Sequence, residues 1–161
     1  MEIDNSKQKG SSDLDRYLQF DLGSESYAIE LLSVKEVIPT PETTPLPNSP
    51  THYTGIMNLR GQIISVVDLR KKLNIKPKET GLEEAVVIVE FDGIGVGVVV
   101  DSINRVLNVP VEDISEVPEV SSQINAKYIQ GVYQFDNKLT ILLDLQNILN
   151  IKEIKQLSKA A

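Results

Sequence analysis

The sequence predicts an all-β protein built as two similar small barrels side by side, related by internal duplication, with short helices and a C-terminal helix. Three observations carry that expectation. The stretch Gly55-Ile-Met-Asn-Leu-Arg-Gly-Gln-Ile-Ile-Ser-Val-Val-Asp-Leu69 recurs as Gly131-Val-Tyr-Gln-Phe-Asp-Asn-Lys-Leu-Thr-Ile-Leu-Leu-Asp-Leu145, an offset of 131 − 55 = 76. Upstream, Tyr27 to Ile38 aligns with Val96 to Leu107 at an offset of 96 − 27 = 69. A period of about 70 residues is too long for a solenoid and fits two small domains. Finally, short apolar runs are separated by Gly and Pro turns and few segments look helical, which favours barrels or sandwiches.

Residues 1–14 are polar, with Gly10-Ser-Ser, and read as a disordered leader. Tyr17 to Leu22 and Tyr27 to Leu31 form a β-hairpin about the turn Gly23-Ser-Glu-Ser. Leu32 to Ile38 follows, then a connection broken by Pro39, Pro41, Pro45, Pro47 and Pro50, which excludes helix interior and central strand. Gly55–Leu59 and Gln62–Val67 flank Arg60-Gly61, the spacing of a two-residue hairpin turn, and Asp68 caps a short helix. Lys76 to Glu84 is a charged linker, after which Ala85–Phe91 and Gly95–Val100 restart the programme about Asp92-Gly93. The expected organisation is a first barrel over 15–80, a second over 84–150, and a helix or tail over 151–161. Strand exchange between the halves is compatible with the pattern. Leu145, Ile148, Leu149, Ile154 and Leu157 fall near one face, so Asp144 can open a helix that continues to Leu157.

The chain has 161 residues and is 41% hydrophobic, enough for a real core. With 16 Lys and Arg against 23 Asp and Glu the formal charge is −7, which argues against nucleic acid or an anionic membrane as the main partner. No cysteine is present, and the single histidine, His52, cannot build a His-rich metal site. Neither a signal peptide nor an apolar run of the ~20 residues that span a bilayer occurs, so the expected location is cytosolic.

Candidate chemistry is sparse. Gly93-Ile-Gly-Val-Gly superficially resembles a nucleotide loop, yet Val98 stands at the third glycine position and the segment runs into β-branched residues, not a helix. It reads as a strand whose glycines admit a neighbouring backbone. Asp68 and Asp144 occupy matched positions and read as caps, Asp101 as a turn or cap residue, and His52 as a surface residue. Arg60 differs in kind, because its counterpart is Asp136: the barrel does not need a cation there. It is either an arbitrary solvated turn residue or a guanidinium held out to pair with a partner's carboxylate. The triplets Leu31, Val34, Val37 and Val100, Ile103, Val106 are open in the same way. They are ordinary core, or they flank a cleft between barrels that would suit an amphipathic helix.

Taken together these residues resemble the CheW family of chemotaxis coupling proteins, over about residues 15 to 150. The signature is Asn58-Leu-Arg-Gly-Gln-Ile-Ile-Ser-Val-Val-Asp-Leu-Arg70, supported by Tyr27-Ala-Ile-Glu30, Pro47-Asn-Ser-Pro50, Gly97-Val-Val-Val-Asp101 and Leu142-Leu-Asp-Leu145. Ser65 stands where the family usually has Pro, and Pro45 where Arg is frequent. The resemblance implies two five-stranded Src-homology-3-like barrels without catalytic activity or cofactor. It further implies an adaptor joining the cytoplasmic tip of methyl-accepting chemoreceptors to the regulatory domain of the histidine kinase CheA, cytoplasmic and recruited to membrane-associated arrays. By family analogy Leu31, Val34, Glu36, Val37, Asn58, Arg60, Gly61, Val100, Ile103 and Val106 line the receptor-binding groove, and the kinase docks at the barrel ends. Within the same class the chain could be the coupling module of a CheV-type protein or an excised kinase regulatory domain; the short leader and compact tail favour a stand-alone adaptor. From other classes, a small-molecule-binding double barrel is the alternative. An enzyme ranks third, because neither copy carries an unpaired nucleophile and base.

Overall fold

A computed structural model describes residues 14–76, 84–117 and 125–159. The leader up to Asp13 and most of the linker expected over Lys76–Glu84 lie outside the described residues. Among the described residues eleven strands are arranged in two sheets. β1 (Leu14–Leu22) and β2 (Glu25–Glu30) form the first hairpin, with Leu14, assigned by sequence to the leader, opening β1. A 3-10 turn over Leu31–Ser33 leads to β3 (Val34–Pro39), and the proline-rich connection runs to β4 (Tyr53–Leu59), β5 (Gln62–Asp68) and the one-turn helix α1 (Leu69–Lys72). The second copy contains β6 (Ala85–Phe91), β7 (Ile94–Val100), β8 (Ser102–Pro110), a two-residue β9 (Ile114–Ser115), β10 (Ile129–Phe135) and β11 (Lys138–Leu143). Two helices follow, α2 (Leu145–Leu149) and α3 (Ile151–Lys159). The sequence pattern suggests one continuous helix; Asn150, left-handed at φ 48°, breaks it in two.

The sheets cut across the sequence repeats. One has the order β3-β6-β7-β5-β4, the other β8-β1-β2-β11-β10-β9. Each copy therefore lends its first hairpin to the other copy's sheet. The loan is sealed by two parallel pairings, β5 with β7 and β11 with β2. They are related by the duplication: Ser65 opposite Val96 becomes, at offsets of 76 and 69, Ile141 opposite Tyr27. Irregularities repeat as well. Thr54 is the extra residue between Tyr53 and Gly55, as Gln130 is between Ile129 and Gly131. Gly55, at φ 149°, lies so close to Thr44 that a Cβ would collide with the Thr44 carbonyl, and a Cβ on Gly131 would strike Ile114. Glycine at both positions is thus required by close backbone approach, in agreement with the scaffold role that the repeat implies.

Alternation along the strands sorts apolar side chains into three clusters. In β6, Val87 and Val89 face the largest cluster, which draws on both sheets, while Val86 and Ile88 face a smaller one with Met57, Ile64 and Val66. In β1, Leu18, Phe20 and Leu22 join the shared cluster and Tyr17 packs with Leu107, Val109 and Tyr133 on the opposite face. Burial on both faces explains why β6 and β7 read as continuous apolar runs. Within β7, Gly97 leaves room for Val86, whose Cγ1 would be 2.9 Å from an added Cβ. The glycines of Gly93–Gly97 belong to a turn and a strand, with no helix N-terminus behind them.

Candidate functional site

The β4–β5 hairpin turns at Arg60-Gly61, with φ 52° and 87°. Its counterpart, Asp136-Asn137, has φ 54° and 62°. Two positive φ values define the mirror-image turn that matches the strand twist, and Asp and Asn adopt it at lower cost than Arg. Arg60 is thus held against local preference. Asn58 supports the turn, its Oδ1 accepting the Gly61 N–H at 2.9 Å. Both ends of the Arg60 guanidinium donate to Glu36, Nη1 to Oε1 at 2.7 Å and Nη2 to Oε2 at 2.8 Å. The Arg60 side chain is 67% exposed and that of Glu36 8%. The turn cation therefore lies over a buried carboxylate of its own chain, a bidentate clamp that fixes its direction.

A bulge places that carboxylate. Val34 pairs with Val89 and Glu36 with Ile88, leaving Lys35 as the extra residue. The inserted residue changes the strand's facing, so Val34 and Val37 lie on the shared-core side while Glu36 and Ile38 share the other face. The second copy repeats the device: Phe20 pairs with Ile103 and Gln19 with Arg105, with Asn104 between. This is why Val34 to Val37 and Ile103 to Val106 advance by three residues, a spacing foreign to a regular strand; the earlier steps cross the 3-10 turn at Leu31–Ser33 and the β7–β8 junction. The members of the two apolar triplets part company in burial. Leu31, Val34 and Val100 are fully buried core, so they shape a groove only from beneath; Val37, Ile103 and Val106 are partly exposed against the same cluster.

The Arg60 hydrogen bonds hold the Glu36 carboxyl below its ordinary value of 4.5, against the opposing effect of burial. The folded value lies under the unfolded one, so this pair contributes its stability above the unfolded glutamate range and loses it as pH falls through the folded value. We expect the difference in urea midpoint between the protein and its Glu36→Gln variant to shrink on acidification below about pH 4. A constant difference from pH 7 to 3 would contradict this.

A second ion cluster was not legible as such. Arg70, 10% exposed, donates to Asp68 (3.0 Å) and Asp101 (2.6 Å) and pairs with Glu84 (3.0 Å). Burial works against its charge, but the bonds to Asp68 and Asp101 outweigh it and raise its pKa above the ordinary value. Asp101 also accepts the Gly23 N–H at 2.5 Å, so the β5–α1 junction, the β7–β8 crossover and the β1–β2 turn meet at one carboxylate. Asp101 thus serves a turn distant in sequence. Asp68 and Asp144 do cap α1 and α2, accepting from the N–H groups of Arg70 (3.0 Å) and Asn147 (3.3 Å). His52 is half-buried, and its carbonyl accepts the Asp68 N–H at 2.8 Å, as that of Tyr128 accepts from Asp144. Burial pushes its imidazole below the ordinary value. The sequence signal for the missed cluster is asymmetry, since Arg70 and Asp101 face Gln146 and Leu32 in the alignment.

Two interlocked barrels, joined by a buried ion cluster and presenting a clamped cation on a hairpin, define a double-barrel scaffold. Known proteins of this kind are similar in sequence. The CheW-like domain family matches residues 16–153, and the chain belongs to that family. It is 34% identical to the chemotaxis protein CheW of Treponema pallidum over 86% of this chain and 84% of that one. Against the CheW of Klebsiella aerogenes it is 30% identical over 97% and 94%. The crystal structure of the scaffolding protein TtCheW from Thermoanaerobacter tengcongensis superposes with a TM-score of 0.78 at 28% identity, covering 87% and 90% of the two chains. Among the described residues no helix is long and apolar enough to cross a membrane.

Proposed function

We propose that this protein is a non-catalytic chemotaxis adaptor, working in the cytoplasm at membrane-associated arrays, that couples methyl-accepting chemoreceptors to the histidine kinase CheA. The observation that carries the reading is Arg60, a cation kept at a left-handed turn position where the duplicate has Asp, exposed yet aimed by a buried carboxylate. A side chain positioned in advance loses less freedom when a partner engages it. Val37, Ile103 and Val106 supply the accessible apolar strip of the receptor groove, with Leu31, Val34 and Val100 supporting it from the core. Asn58, Arg60 and Gly61 form the rim and Glu36 lies beneath. A receptor helix lays its apolar stripe on the strip while a carboxylate meets the outer side of the guanidinium. The kinase regulatory domain docks at the barrel ends, so the adaptor fixes distance and orientation between receptor and kinase.

Arg60→Asn tests this. Asparagine accepts the left-handed turn, whereas Arg60→Glu would also set a second carboxylate against Glu36. Titration of the Asn variant with a receptor-tip fragment is expected to show affinity lowered by at least about 1 kcal/mol, the scale of an exposed rim charge. Capture of CheA in a pull-down is expected to survive. Unchanged receptor affinity would overturn the assignment of Arg60.

A further inference from the structure

We propose that the barrel of the six-stranded sheet binds a small aromatic carboxylate that carries a hydrogen-bond donor at its far end. The site is a cavity of about 280 Å³ among β1, β2, β8, β10 and β11. It combines a polar floor of Gln19 and Thr140, an aromatic wall of Tyr133 and Phe135, and two cations, Arg105 and Lys138. None of its described lining residues belongs to the receptor groove, so its fate is independent of that reading.

The duplication shows that the fold does not ask for this chemistry. Gln19 corresponds to Ile88 (88 − 19 = 69) and Thr140 to Ile64 (140 − 64 = 76), each isoleucine 4% exposed in the apolar cluster of the five-stranded sheet. Polar groups inside a barrel cost stability unless they are satisfied, so packing does not account for the exchange. Gln19 and Thr140 are 9% and 3% exposed, and Gln19 Nε2 donates to Thr140 Oγ1 at 2.8 Å. That bond leaves the Gln19 carbonyl oxygen and the Thr140 hydroxyl hydrogen without a partner among the described residues. No sealed side-chain N or O of those residues lacks a partner, so Gln19 Oε1 opens on the cavity.

Wall and rim differ between the barrels as well. Tyr133 and Phe135 stand where the five-stranded sheet has Met57 and Leu59, and their rings stack with centroids 6.3 Å apart. Phe135 is 58% exposed, which leaves the stack accessible to a further ring. Across the other barrel Arg60 clamps Glu36. Asp136 and Arg105 hold those two positions here with the signs reversed, and among the described residues no ion pair joins them. Arg105 and Lys138 are exposed and unpaired on the same terms, and no carboxylate is among the cavity's described lining residues. Two such cations beside an aromatic wall select a planar anion. Its carboxylate meets Arg105 and Lys138, its ring extends the stack, and a donor at the opposite end reaches Gln19 Oε1. The volume lies just under the about 300–1,000 Å³ of drug-sized sites, room for on the order of ten non-hydrogen atoms.

The probes are 4-hydroxybenzoate, benzoate, 4-hydroxybenzyl alcohol and acetate, each titrated into the full isotope-labelled chain and followed by amide chemical shifts. 4-Hydroxybenzoate is expected to saturate, with shifts centred on Gln19, Tyr133 and Thr140. It should bind about tenfold or more tighter than the alcohol, which lacks the charge, and tighter than benzoate, which lacks the donor. Arg105→Gln with Lys138→Gln, both at exposed positions, should weaken it about tenfold or more, whereas Arg60→Asn should leave it unchanged. Gln19→Ile with Thr140→Ile installs the pair with which the other barrel folds, and should abolish the advantage over benzoate. Equal binding of acid and alcohol, or no saturation by about 10 mM, would overturn the proposal. So would an affinity untouched by the Arg105 and Lys138 changes. Acetate binding as tightly as 4-hydroxybenzoate would overturn it too, by making the site a receiver of bare carboxylates such as an acidic side chain of another protein.

Discussion

Separately expressed fragments of residues 1–76 and 84–161 are each expected to remain unfolded, and mixing them is expected to restore native structure. Neither fragment holds a complete sheet. The first carries β1 and β2, whose neighbours β8 and β11 lie in the second; the second carries β6 and β7, whose neighbours β3 and β5 lie in the first. The shared cluster likewise draws Leu18, Phe20 and Val34 from one fragment and Val87, Val98 and Leu143 from the other. Separation therefore removes the whole of a stability that for such domains is about 5–15 kcal/mol. Circular dichroism and amide spectra of each fragment, then of the mixture, check it. A fragment that folds alone would contradict the interdependence of the barrels.

The second large effect falls on the buried cation. Arg70→Met removes the positive charge from a site where Asp101 is 1% and Asp68 11% exposed in their side chains, taking the counter-ion from these two buried carboxylates and from the more exposed Glu84. Breaking a buried pair by deleting one partner destabilises by about 3–5 kcal/mol. The urea midpoint should fall accordingly, and Arg70→Met combined with Asp101→Asn should recover part of the loss, because the two changes act on one contact. A loss below about 1 kcal/mol, the surface-pair scale, would show the cluster to be dispensable.

Much of this architecture was legible in the sequence, and for identifiable reasons. Gly55 with Gly131 and Asp68 with Asp144 were readable as scaffold because a duplication records twice whatever the backbone demands. The Arg60 turn was readable as an exception because a cation stood where the copy has Asp. Its partner Glu36 was placed in the groove by resemblance, but the clamp between them depends on the bulge at Lys35, which leaves no mark in composition or alternation. The triplets hid the same bulge: their three-residue spacing fitted either core or cleft until the strand was seen to change facing. Exchange of the first hairpins could be entertained but not decided, since strands of like pattern pair equally well with either copy. The Arg70 cluster escaped because its members stand 31 residues apart and meet only through the exchange.

That exchange also sets the order of events as the chain leaves the ribosome. β2 pairs with β11 across 140 − 26 = 114 residues, and β1 with β8 across as many as 110 − 14 = 96. At about 5–20 residues per second, the first hairpin waits on the order of 5–20 s for its far neighbour. During that time the apolar Leu18, Phe20 and Leu22 have a turn but no sheet to join. The C-terminal strand, last to be made, is what closes the first.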